Sequence, residues 1–309
     1  MHILIRYQGS KCAPLEAGQN RDVPLRLRHH VFADTELLVM AIVNRTPDSF
    51  YDRGATFTDE AALAAVDAAV RDGAQIVDIG GVKAGPGEAV DATEEARRTV
   101  PLIREVRTRY PDLVISIDTW RAEVGEAAVE AGADLLNDTW SGADPELATV
   151  AARTGAGLIC SHAGGLTPRS RPHRPSFPDV TADVVSTVTR LAERAVEAGV
   201  RSDGILIDPA HDFGKNTWHS LTLTRELEAL VATGWPVLVA LSRKDFVGET
   251  LDLPVDDRLE GTLAATAISA WLGARVFRAH DVLATRRTLD MVASIRGTRP
   301  PAFTRRGLA

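Results

Sequence analysis

Cysteine is scarce in this chain. Only Cys12 and Cys160 occur in 309 residues, one in a polar leader and the other inside an apolar run. A disulfide between them is not expected, which fits a reducing compartment. A second absence is any apolar run approaching the roughly 20 residues of a membrane-spanning helix. The opening MHILIRYQGSK is apolar over too short a stretch to read as a signal peptide. Basic excess is missing too: 35 Lys and Arg stand against 42 Asp and Glu, for a net charge of −7. No broad positive surface is available for nucleic acid or an anionic membrane, so an anionic ligand would need a local site. These absences point to a cytoplasmic protein with neither nucleic acid nor membrane as its partner.

What is present is an ordinary globular balance, 45% hydrophobic and 25% charged. A short apolar run, then a polar residue, then a helical segment, then Gly and a small residue, recurs along the chain. The runs 37–43, 76–79, 114–117, 135–136, 158–160, 205–207, 237–241 and 276–277 read as strands. Segments of helical spacing, such as 58–72, 91–110 and 179–198, separate them. Gly73, Gly132, Gly155, Gly199 and Gly273 fall where a helix C-terminus needs a left-handed residue. Eight strand–helix units with no Gly/Pro/Ser linker predict a single (β/α)8 TIM barrel over 36–296; an open doubly wound sheet is the runner-up. Residues 1–35 read as a flexible leader and 297–309 as a tail.

Polar residues collect where the strands end: Asn44, Asp118, Asn137, His162, Asp208, Lys244, Arg278 and His280. Alone, each has a bland reading as a helix cap or a solvated side chain. Together they converge on the carboxyl mouth, where barrels of this type place their chemistry. Asp118, Asn137, Asp208 and Lys244 offer carboxylate, amide and ammonium groups suited to a flat heterocycle with alternating donors and acceptors. Asn44, Arg278 and His280 suit phosphate, which Arg grips bidentately.

An ordered series of motifs is similar to the dihydropteroate synthase family. It runs NRTPDSF at 44–50, VDIGG at 77–81, SIDT at 116–119, NDT at 137–139, IDP at 207–209, FGK at 213–215, LSRK at 241–244, GTLAAT at 261–266 and RAHDV at 278–282. The resemblance covers about 260 residues and implies a TIM barrel. It also implies condensation of 6-hydroxymethyl-7,8-dihydropterin diphosphate with p-aminobenzoate, releasing pyrophosphate with the help of Mg2+. By motif position it implies that Asp118, Asn137, Asp208, Phe213 and Lys244 bind the pterin. Asn44, Arg278 and His280 would hold the diphosphate, with Asn44 at the metal, and Asp118 and Lys244 would be catalytic. It further implies a homodimer formed through the last helices.

There are departures. Where the family reads GGESTRPG, residues 80–87 read GGVKAGPG, so Ala84 and Gly85 replace Thr and Arg. Ser161-His162-Ala163 replaces a Met-His-Met, His211-Asp212 replaces an apolar or Gly pair, and Arg45 replaces Val. These changes resemble a second branch of the family found in actinobacteria, thought not to make dihydropteroate. Two expectations therefore stand beside each other: a dihydropteroate synthase-like transferase, in which Lys83 or Arg45 supplies the missing charge, and a paralogue that binds a pterin or uses another acceptor. A methyltransferase of the same fold is disfavoured by Arg278 and His280.

Overall fold

The computed structural model of the protein describes residues 24–46, 58–170 and 175–306. The described chain enters through a hairpin, β1 (Leu25–Leu27) and β2 (His30–Phe32), paired antiparallel. Eight strands follow: β3 (Leu38–Asn44), β4 (Ile76–Gly80), β5 (Val114–Asp118), β6 (Leu135–Asp138), β7 (Gly157–Ser161), β8 (Ile205–Asp208), β9 (Leu238–Ala240) and β10 (Val276–Ala279). They form one parallel sheet in the order β8-β7-β6-β5-β4-β3-β10-β9. A single parallel bridge, Ile207 to Val237, joins β8 to the start of β9 and brings the edges together as a barrel. This is the predicted fold, and the open sheet is set aside.

The helices ring the barrel: α1 (Asp59–Arg71), α2 (Ala92–Arg109), α3 (Ala122–Ala131), α4 (Glu146–Thr154), α5 (Val180–Glu197), α6 (Thr217–Arg225), α7 (Glu228–Val231), α8 (Asp245–Leu251), α9 (Leu259–Trp271) and α10 (Val282–Ile295). Local sequence explains their ends. Thr58 and Asp91 cap α1 and α2 by accepting from Ala61 N and Glu94 N. Gly132 and Gly155 close α3 and α4 at φ of 117° and 75°, where a Cβ would be strained. The span 217–232, which reads as one helix, is split between α6 and α7. The short helix α8 is not singled out by periodicity.

Strand period two creates two apolar layers. Outward residues such as Val39, Val77, Ile115 and Phe277 pack under the helices. Inward residues such as Met40, Ile76, Leu135 and Leu206 fill the lower barrel. Leu25, Leu27 and Phe32 of the hairpin join that inner layer and plug the amino-terminal end. Here the structure corrects the reading of a flexible leader: over 24–35 the chain is docked, because its alternate apolar residues complete a core that the barrel alone leaves open. Arg275 secures it by donating to Phe32 O at 3.1 Å. The rest of the leader, Cys12 included, lies outside the described residues. No described helix is long and apolar enough to cross a membrane.

Candidate functional site at the carboxyl mouth

Above the apolar layer the barrel interior turns polar. Asp78 follows Ile76 on the inward face of β4 and is fully buried. Its carboxylate accepts from Ser116 Oγ at 2.6 Å, Asn137 Nδ2 at 3.1 Å and Arg278 Nε at 2.6 Å. Arg278 also donates through Nη2 to Asp118 Oδ2 at 2.8 Å, and Thr139 Oγ1 donates to Asp118 Oδ1 at 2.7 Å. Strands β4, β5, β6 and β10 are thereby tied through the Asp78 carboxylate and the Arg278 guanidinium. A partly buried guanidinium is stabilised when its charge is compensated, and two carboxylates do that here. Burial pushes the Asp118 carboxyl up to about 6, against the pull of Arg278 and with the push of Asp78.

Asp78 is the residue that strand-end reasoning misses, because it lies two places before the end of β4. A signal was there: an Asp in the middle of the otherwise apolar run Ile76–Gly80 must find a partner if that strand is buried.

The second half of the site is built by the loop after β8. Asp208 ends that strand, buried, and accepts from Ala210 N at 2.7 Å. Burial raises its carboxyl pKa, while Lys244 lowers it. Ala210, Asp212 and Gly214 take φ of 49°, 67° and 62°. Two non-glycine residues in that region store backbone strain, which persists only where surroundings over-determine it. Lys215 supplies the constraint: its ammonium donates to His162 O, Ala210 O and Phe213 O at 2.9, 3.1 and 2.8 Å. Lys244 donates to His211 O and stands 5.0 Å from the Phe213 ring centre. Burial depresses the Lys244 pKa, opposed by Asp212 and Asp208. Trp140 meets Phe213 edge-on at 5.4 Å and backs it.

Six of the eight residues expected at the site share a cavity of about 450 Å3: Asn44, Asp118, Phe213, Lys244, Arg278 and His280. Asn137 and Asp208 do not line it and sit buried among its supports. Ser242 Oγ lies 3.0 Å from His280 Nδ1, and burial with Arg278 nearby brings the imidazole down to about 3. Val82, Lys83, Ala84 and Gly85 form one wall of the same cavity.

Three polar residues singled out in the sequence turn elsewhere. Arg45 donates to Arg98 O at 3.0 Å and pairs with Asp59, which ties it to α2 and α1. Of the two residues expected to replace the missing charge, only Lys83 lines the cavity. His162 contacts Asp183 of α5 at 2.8 Å, and His211 contacts Thr224 of α6 at 3.0 Å. Both are side chains packed against helices. The first-loop residues 47–50 lie outside the described residues. Among the described residues no group of three or more His, Cys, Asp or Glu could hold a metal.

Fold and site together define a parallel (β/α)8 barrel with a charged, partly aromatic cavity at its carboxyl mouth, the place where such barrels bind small molecules. Residues 40–280 match the model of the family described as pterin binding enzyme, and the chain belongs to that family. It is 62% identical to "Inactive dihydropteroate synthase 2" of Mycobacterium leprae over 283 residues, covering 90% of this chain and 97% of the relative. It is 38% identical to dihydropteroate synthase of Bacillus subtilis over 257 residues, 82% of this chain and 87% of that one. The crystal structure of Yersinia pestis dihydropteroate synthase with a sulfonamide drug superposes with a TM-score of 0.84 at 34% identity, covering 89% of this chain and all of that one.

Proposed function

We propose that this protein binds a pterin diphosphate at the carboxyl mouth and does not join it to p-aminobenzoate. The observation that carries the reading is the contrast between two parts of one cavity. The Arg278–Asp118 pair, Lys244 and Phe213 converge there, while the wall at Ala84 and Gly85 has lost the hydroxyl and guanidinium of the family pattern. The name of the Mycobacterium leprae relative agrees with the loss.

In this reading Lys244 donates to the ring carbonyl and Phe213 faces the ring, while Asp208, buried behind the cavity lining, supplies a counter-charge to Lys244. Asp78 and Asp118 take Nε and Nη2 of the Arg278 guanidinium, and Nη1 would be the group offered to phosphate. The Asn44 amide oxygen suits a hard cation that keeps most of its ligands as water and phosphate, so it is the described residue that would hold Mg2+. When bound, Mg2+ would neutralise charge on the diphosphate. Asp118 faces the position where positive character would develop if pyrophosphate left.

Calorimetry with 6-hydroxymethyl-7,8-dihydropterin diphosphate, with and without Mg2+, tests the binding. We expect saturable binding that Mg2+ tightens, and no heat of binding would sink the reading. Incubation with p-aminobenzoate should yield no dihydropteroate, and turnover would overturn the second half. Transfer to a different amine is the second reading, favoured by Lys83 on the acceptor wall. Pyrophosphate release across a panel of amines would establish it.

A homodimer is a further part of the proposal. An apolar groove of about 530 Å3 between α6, α8 and α9, with Leu251 and Ile268 exposed, supports it. Sedimentation showing a monomer at micromolar concentration would remove it.

A further inference from the structure

The wall at Val82–Gly85 is held by side chains from three other places. Arg98 of α2 donates to Gly81 O at 3.1 Å, at the root of the loop. Arg121, the residue before α3, donates to Val90 O at 2.7 Å, at its far end. Between them Arg169 donates to Glu88 O at 2.6 Å, with a longer contact from Nε to Gly85 O at 3.4 Å. Arg169 comes from the loop after β7, more than 80 residues away in sequence.

Arg169 is itself firmly based. Ser141 Oγ accepts from Ala163 N at 2.6 Å and donates to Ser161 O at 2.8 Å, fixing the root of that loop. Gly164 and Gly214 touch backbone to backbone, so closely that a Cβ on Gly164 would stand 3.0 Å from Gly214 Cα. Arg169 also adopts φ of 62°, a conformation unfavourable for an L-residue that needs compensating contacts. The two carbonyls it reaches supply such contacts.

We propose that Arg169 is a positioning residue. It straps the loop between β4 and α2 to the loop between β7 and α5, and so sets Val82–Gly85 as a roof of preset shape over the acceptor side of the mouth. The inference rests on the reading of that mouth as the ligand site. Whatever sits beside the pterin must fit under this roof, because lifting it means breaking the exposed charge-assisted bond to Glu88 O and the part-buried contact to Gly85 O. Arg98 and Arg121 hold the ends of the loop, and Arg169 reaches its middle.

Limited proteolysis of the ligand-free full chain with subtilisin, the fragments identified by mass spectrometry, tests the strap without any ligand, so its failure is separable from failure of pterin binding. We expect cleavage within 82–89 to be about tenfold faster in Arg169→Ala, with strands β4 and β7 uncut. Arg169→Lys, which keeps the charge but one point of attachment, should fall between. Equal cleavage of 82–89 in all three proteins overturns the proposal. A rise in cleavage spread through the barrel overturns it as well, since Arg169 would then support the barrel and not the loop.

Discussion

Asp78→Asn is the most revealing single change at the mouth. The carboxylate accepts three hydrogen bonds, from Ser116, Asn137 and Arg278. An amide of the same shape keeps one oxygen and places an NH2 against donors. The charge-assisted bond from Arg278 is weakened, a loss of about 1.5–3 kcal/mol, and one donor is left facing a donor at about 1–3 kcal/mol. Removing one partner of a buried ion pair costs about 3–5 kcal/mol in general. Asp118 still compensates Arg278, which places the expected cost near the lower end, about 3 kcal/mol. At roughly 2 °C per kcal/mol for a chain of this size, the melting temperature should fall by about 6 °C. Urea unfolding followed by circular dichroism at pH 7 measures the free energy, and a thermal scan the midpoint. A variant within about 0.5 kcal/mol of the parent would refute the argument, because the Arg278 clamp would then not depend on Asp78.

Further outcomes are expected elsewhere. Asp118 is raised from 3.8 to about 6, so the folded state holds its proton more tightly than the unfolded state. Its contribution is therefore greatest below pH 4 and declines through pH 6, by at most about 3 kcal/mol. Because His162, lowered to about 4, acts oppositely in that window, the informative quantity is the difference between parent and Asp118→Asn. That difference should change between pH 4 and 6.5, and a constant offset would contradict the burial argument. Leu27→Ala should cost about 2–5 kcal/mol in urea unfolding, as expected for a fully buried Leu, whereas a loosely attached hairpin would give almost nothing. Asp208→Ala should weaken binding of the pterin diphosphate by tenfold or more in calorimetry, since Lys244 loses a buried counter-charge, and unchanged affinity would remove Asp208 from the support of the site. Ala84→Thr with Gly85→Arg should create dihydropteroate formation if the loss of activity lies in that wall. A double variant that binds pterin but stays silent would point to the region around His162.

Much of the barrel was legible because its grammar is local. Apolar runs of strand length, helical spacing and left-handed glycines each follow from backbone geometry, and their eightfold repetition excludes most other arrangements. Asn44, Asp118, Lys244, Arg278 and His280 were legible for the same reason, since the residues that end a barrel strand are carried to the mouth; Phe213, in the loop after β8, was indicated only by the family resemblance. Periodicity had no purchase on α8, which is only two turns long. The hairpin is not legible, because two three-residue strands give too little pattern to distinguish from a loose leader.

Only the packed structure decided which polar groups meet. Asp78 and Arg278 are 200 positions apart, and their pairing depends on β4 and β10 both flanking β3. Arg45 and Lys83 were equivalent as cations in the sequence. Closure of the barrel turned one outward to Asp59 and left the other on the cavity wall. Likewise Arg169 gains its role from a contact across the mouth that no spacing along the chain encodes. The sequence by itself determined the layers, the barrel and the kind of chemistry at each strand end, through short-range sterics and the burial of apolar faces. The tertiary structure determined charge compensation, the strain stored in the loop after β8 and the shape of the wall at Val82–Gly85, because these depend on distances between residues far apart in the chain.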